Sequence, residues 1–277
     1  MIGAICGDII GSAYEFKPIK SREFELFTGE NCFTDDTVMT VAVGAALMRS
    51  WEKDEFATLG QVAKNTMLDI GYWYPCCGYG GRFHRWMYGD KPEPYSSCGN
   101  GAAMRVSPVG LIARSLDEVV EMSRTVTEIT HNHPEGIKGA EATAVAVYLA
   151  RVGESKDAIK GVIMGRYYPN IKSVEEYHNE TQGHGQELCQ ISVPQAMAAF
   201  FEGDSYESVI RNCVYIGGDC DTTGAIAGGI AEAFYHVPWE IEDMGMRYLD
   251  RQLKNIYEDW KFFQFYFNKR EGNDYAE

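Results

Sequence analysis

The chain has 277 residues, of which 45% are hydrophobic and 23% charged, a globular balance that excludes a disordered polymer. With 25 basic residues against 40 acidic ones the net charge is −15, which argues against a nucleic-acid partner or an anionic membrane surface. The 8 cysteines form no CxxC pair or zinc-finger spacing, no stretch resembles a membrane span, and Met1 to Phe16 carries Asp8 and Glu15 without a basic leader, so a reduced, soluble, cytoplasmic protein is expected.

Met1 to Tyr14 predicts a helix in which Gly3, Gly7 and Gly11, four residues apart, form a face that another helix can approach closely. Glu15 follows at its C-terminal end, where a carboxylate meets the negative end of the helix dipole and is unfavourable unless a cation or a task holds it. Lys17 to Cys32 reads as a loop. It delivers the chain to Phe33-Thr34-Asp35-Asp36-Thr37 and to Val38–Leu47, an uncharged run that predicts a buried helix. Phe56 to Ile70 again has helical spacing. From Gly71 to about Gly101 an irregular, aromatic-rich stretch is expected, from Tyr72 and Trp73 to Tyr88, with packing or stacking on a base or sugar as its uses. It ends in Gly99-Asn100-Gly101, where glycine permits close backbone approach and the N–H groups can form an anion nest.

Leu116 to Ile129 predicts a helix that Thr130-His131-Asn132-His133-Pro134 breaks. Two histidines on a loop suggest zinc, but no third ligand is near, and a polar contact to substrate or a solvated turn fits better. Helices are expected over Ile137–Val152 and Asp157–Tyr167, then a polar irregular segment over 168–188 and a helix over Val193–Phe201 with Pro194 in its first turn. Tyr206 to Tyr215 leads into Gly217-Gly218-Asp219-Cys220-Asp221-Thr222-Thr223-Gly224 and the helix that follows it. Beyond Pro238 one long amphipathic helix, Ile241–Tyr257, precedes an acidic tail. Strand-like alternation is nearly absent, so one all-α domain over residues 1–277 is expected, with no repeat beyond the two aspartate motifs.

Those two motifs carry the chemistry. Capping explains one carboxylate at a helix start, not two. Neighbouring carboxylates repel, and no Lys or Arg lies within five residues of Asp35, Asp36, Asp219 or Asp221. Hard divalent cations bound by carboxylate and hydroxyl oxygens are the natural compensation, and two of them with open positions suit hydrolysis.

Six motifs in order resemble the ADP-ribosylglycohydrolase family: Gly7-Asp8 through Glu15, Thr34-Asp35-Asp36-Thr37, Gly99-Asn100-Gly101 through Arg105, Thr130-His131, Cys189 through Ala196, and Gly217-Gly218-Asp219 through Gly229. The resemblance implies a compact orthogonal helical domain with a binuclear metal site at helix N-termini. It implies two Mg2+ or Mn2+ ions held by Thr34, Asp35, Asp36, Asp219, Asp221 and Thr222, with Glu15 and Asp36 as the catalytic carboxylates. Gly99, Asn100 and Gly101 would cradle diphosphate and ribose, and His131 would approach the distal ribose. The implied reaction is hydrolysis of the bond between ADP-ribose and an acceptor, with arginine favoured on a protein and small ADP-ribose conjugates also open. A non-catalytic ADP-ribose binder and a two-metal nucleotide phosphohydrolase are the alternatives. His236 stands where many members have glycine.

Overall fold

A computed structural model describes residues 1–181 and 186–270. The acidic run expected at 271–277, and 182–185 within the polar segment, lie outside the described residues. Among the described residues there are fourteen α-helices, one 3-10 turn and no strand; no helix is long and apolar enough to cross a membrane.

The fold is organised by a helix pair that the glycine spacing makes possible. Helix α1 (Ile2–Ser12) runs antiparallel to α12 (Cys220–Tyr235), with Gly3 against Gly228, Gly7 against Gly224, and Gly11 against Cys220 and Asp221. A Cβ at Gly7 would lie 2.0 Å from the Gly224 carbonyl oxygen, so the backbones meet where any side chain would stand. Antiparallel packing puts the C-terminal end of α1, and Glu15 beyond it, beside the N-terminus of α12. At the other end Glu232 accepts from Gly3 N–H at 2.8 Å and binds the Met1 amino group at 2.6 Å.

Helix α2 (Asp35–Asp54) packs on both α1 and α12, and its apolar positions Val38, Val41, Ala42 and Ala45 are buried. Around this centre stand α3 (Leu59–Gly71), α5 (Ser107–Ile112), α6 (Leu116–Glu128), α7 (Pro134–Arg151), α8 (Lys156–Arg166) and α11 (Tyr206–Ile216). Gly217 and Gly218, with φ of +81° and +71°, turn the chain from α11 into α12, a left-handed step that favours glycine.

Several boundaries differ from the sequence reading. The aromatic stretch contains α4 (Gly81–Tyr88), which buries Phe83, Trp86 and Met87; Tyr72, Trp73 and Tyr88 stay near half exposed. The segment read as irregular over 168–188 contains α9 (Val174–Glu180), opened by a Ser173–Glu176 capping box. Helix α10 (Cys189–Glu202) begins five residues before Pro194, so that proline sits inside the helix and not in its first turn. Surrounding burial of Val193, Ala196 and Met197 offsets the missing N–H. Finally, the long helix expected over Ile241–Tyr257 is two: α13 (Trp239–Tyr248) and α14 (Arg251–Arg270). Leu249 is extended between them, and Asp250 accepts from Leu253 N–H at 2.9 Å, a helix-starting bond.

Candidate metal and substrate site

At the N-terminus of α2 the cap is Thr34, whose hydroxyl accepts from Asp36 N–H at 3.2 Å. Asp8, one turn before the end of α1, adds a second cap from outside: its carboxylate accepts from Thr34 N–H at 2.9 Å, Thr37 N–H at 3.0 Å and the Thr34 hydroxyl at 2.8 Å. The α2 start is therefore satisfied without Asp35 or Asp36. Asp219 occupies the N-cap position of α12 yet makes no capping bond with that helix. Instead it accepts from the Asn100 amide at 2.6 Å. Capping does not account for these aspartates.

Asp36, Asp219 and Asp221 converge with Asp8 and Glu15, whereas Asp35 lines the same cavity outside both groups. One group of carboxylate oxygens, from Asp8, Asp36 and Asp221, lies within 4.8 Å, and a second comes from Glu15, Asp219 and Asp221 within the same limit. Asp221 belongs to both. The Thr222 hydroxyl donates to Asp36 Oδ2 at 3.2 Å, tying the start of α2 to the start of α12, and the Thr34 hydroxyl, whose proton goes to Asp8, lies 3.2 Å from the same oxygen. Asp36 Oδ1 is buried with no hydrogen-bond partner. Among the described residues no ion pair involves any of these carboxylates.

Without a counter-ion the cluster favours protons. Burial, then the charges of Asp8, Asp35 and Asp219, holds the Asp36 carboxyl well above the usual range, and burial with Asp219 and Asp36 does the same at Asp221. Asp35 is pushed up to about 8 by burial and then by Asp8. Glu15 is pushed up to about 7 by burial, Asp219, Glu187 and Asp8. Asp8 reaches only about 6, because the hydrogen bonds from Thr37 and Thr34 oppose its burial. An orphaned oxygen among hard oxygen donors with no cationic side chain fits a divalent metal ion. The acidic cluster can hold metal.

These carboxylates form the floor of a cavity of about 670 Å³, which Glu15, Thr34, Asp35, Asp36, Asp219, Asp221, Thr222, Gly99, Asn100, Gly101 and His131 all line. The Gly99–Gly101 loop is anchored by pairing of Gly99 with Leu188 and by Asn100 N–H donating to Glu187 O at 2.9 Å. Gly99 N–H donates to Ser97 Oγ at 3.1 Å. Two donors expected of an anion nest are thus already occupied. What the loop contributes is a side-chain-free wall: a Cβ on Gly101 would stand 3.4 Å from His131 Nε2. His131 is buried, and burial together with Arg105 and Arg82 holds it neutral, far below its ordinary range. The Thr130 hydroxyl accepts from Arg105 Nη2 at 2.7 Å and lies 2.7 Å from His131 Nδ1 and 3.3 Å from Thr127 O, so it fixes the ring from behind. Nε2 stands toward Gly99 and Gly101 on the cavity wall.

Three residues of this site were given no role in the sequence reading. Asp8 stands in the first motif of the family resemblance, a lone carboxylate in an otherwise uncharged helix, and Arg105 closes the third. Arg105 is fully buried, with burial pushing its guanidinium down to about 10, and it lines the cavity with Arg82, whose guanidinium stands 5.1 Å from the Tyr95 ring. No periodicity singles out these arginines.

An all-α fold with such a carboxylate cluster at facing helix starts defines a class, and the sequence profile of ADP-ribosylglycohydrolase matches residues 1–254. The chain belongs to the ADP-ribosylglycohydrolase family. It is 29% identical to ADP-ribosyl-[dinitrogen reductase] glycohydrolase of Rhodospirillum rubrum, over 85% of this chain and 84% of that one. It is 26% identical to ADP-ribosylhydrolase ARH3 of Bos taurus, over 85% and 83%. ADP-ribosylarginine hydrolase Tri1 of Pseudomonas putida is 24% identical over 86% of this chain and 70% of its own. A solved structure, an ADP-ribosylglycohydrolase-related protein complex, superposes with a TM-score of 0.66 over 88% of this chain and 95% of that chain at 23% identity, a likeness of fold.

Proposed function

We propose that the protein hydrolyses the glycosidic bond between ADP-ribose and an acceptor, with an ADP-ribosylated arginine side chain favoured, and that it works with two Mg2+ or Mn2+ ions. The observation that supports it most is the unpartnered Asp36 Oδ1 among converging carboxylates at the floor of a cavity large enough for a nucleotide sugar. Thr34, Asp35, Asp36, Asp219, Asp221 and Thr222 would hold the cations, with Asp8 fixing the α2 end of the set. When bound, the cations supply Lewis-acid anchoring of sugar hydroxyls and make a water more acidic.

The chain's own residues do the rest. Glu15, half-buried at the rim beside Asp219 and Asp221, is the carboxyl that would give a proton to the departing acceptor. Asp36 is the second carboxylate of the pair, placed to accept a proton from the attacking water. Anionic side chains on one wall stabilise positive charge developing on the ribose ring. His131 Nε2 hydrogen-bonds a ribose hydroxyl, and Arg82 and Arg105 balance the diphosphate. A guanidinium acceptor suits the acidic rim formed by Glu15, Glu187 and Asp219. The eight free thiols support a reducing, cytoplasmic setting.

The test is a panel of ADP-ribose joined to arginine, to serine and to small acceptors, incubated with protein and Mg2+ or Mn2+ and read by mass spectrometry. Free ADP-ribose from the arginine conjugate is expected. Intact conjugates throughout would leave only a binder, and AMP or inorganic phosphate would mean a phosphohydrolase.

A further inference from the structure

Helix α14 buries Leu253, Tyr257, Trp260 and Phe267 against the body, yet its opposite face is also aromatic. Phe262, Phe265 and Tyr266 are 64%, 50% and 64% exposed. With each ring offering about 150–250 Å², the stripe presents on the order of 350 Å² of apolar surface, the size of patch that marks a contact site. Helix α13 is tied to α14 by Glu242, which accepts from Tyr257 and Lys261 at 3.0 and 3.2 Å.

The charges at the two ends of the stripe say what covers it. Glu258 and Asp259 lie exposed on the N-terminal side, and Lys269 and Arg270 on the C-terminal side. Laid antiparallel on itself about a two-fold axis at residue 264, the helix sets Glu258 against Arg270, Asp259 against Lys269 and Phe262 against Tyr266, all in one register. No second register aligns both charge pairs and the rings. We propose that the outer face of α14 is a self-complementary docking surface, and that a second copy of this chain occupies it as an antiparallel two-fold dimer. The overlap, residues 258–270, runs about 20 Å. Its area is below the roughly 800 Å² per partner of a standard interface, so the dimer is a weak, concentration-dependent one. Arg270 is 64% exposed and stands 3.9 Å from Glu55 and 5.1 Å from the Trp51 ring, so the Glu258 pairing in the dimer draws it from this loose contact.

Sedimentation velocity across the micromolar range tests this. The expected result is a monomer–dimer equilibrium that Phe262→Asp abolishes. Asp259→Lys should weaken association by about tenfold or more, and Asp259→Lys with Lys269→Asp should restore it, because each reversal strikes two symmetric pairs. All positions are exposed, so circular dichroism and thermal unfolding should match wild type, and the variants should keep wild-type turnover because α14 lines none of the cavity. A wild-type chain that stays monomeric throughout overturns the proposal, as does a dimer indifferent to the charge reversals or unrestored by the double reversal.

Discussion

Replacing Asp36 by asparagine separates a carboxylate kept for a cation from one kept for the fold. Asp36 Oδ2 lies 3.2 Å from the Thr34 and Thr222 hydroxyls, Oδ1 is buried and unpartnered, and the carboxylate brings an oxygen within 4.8 Å of oxygens of Asp8 and Asp221. An asparagine of the same shape keeps an oxygen for the two threonines. Its amino group takes the orphan's place and faces carboxylates that accept it. In chelator the variant no longer has to take up a proton to sit in this cluster and carries a permanent donor; a buried polar group left unmet costs about 1–3 kcal/mol. Asp36→Asn should then be more stable than wild type without metal, by about 2–4 °C in Tm per kcal/mol. With metal the order inverts. A ligand at about 100 times its Kd adds about 2.7 kcal/mol to a protein that binds it, and the variant should forfeit that gain together with most turnover. Thermal unfolding in chelator and in saturating Mg2+ or Mn2+, alongside turnover, reads both signs. A variant less stable than wild type in chelator, or gaining as much from metal, would refute the reasoning.

Gly7→Ala must open the α1–α12 contact from 2.0 Å toward the 3.4 Å of ordinary contact, an overpacking worth about 1–3 kcal/mol or more; lowered Tm and lost activity are expected, and an unchanged Tm would contradict the packing argument. For pH, Glu15 at about 7 and Asp35 at about 8 lie above their unfolded values of about 4, so the folded metal-free protein binds more protons between those limits. Its stability should consequently fall as pH rises from about 4 to about 8, with metal flattening the slope and releasing protons on binding; a chelated Tm that climbs over this range would sink the prediction. His236, exposed with φ +62° and ψ 157°, holds a conformation that glycine tolerates, so His236→Gly should stabilise by about 1 kcal/mol, checked by denaturant unfolding, with a lower midpoint as the contrary result.

Much of the fold was legible because its signals are local. Gly3, Gly7 and Gly11 repeat at helical spacing, and their face can be read before its partner is known. The missed elements also had local signals, but weak ones: Ser173 with Glu176 opens α9, and Asp250 starts α14 inside what reads as one amphipathic run. Pro194 misled because burial overrides its preference for a first turn. At the site, paired aspartates without a basic neighbour were visible. The role of Asp8 was not, since a carboxylate in an apolar helix does not show which helix start it will cap.

What the amino-acid sequence alone determined is which residues are costly to fold without help: two aspartate pairs before uncharged helices, a glutamate at the wrong end of a dipole, and glycines where side chains would be cheaper in entropy. Those costs are local, set by burial, charge and backbone freedom. Only the tertiary structure decided that Asp8 caps α2 from another helix, that Asp221 belongs to both carboxylate groups, and that Arg105 faces the same cavity as His131. Such contacts join residues far apart in the chain, and the antiparallel closeness of α1 and α12 brings them within reach.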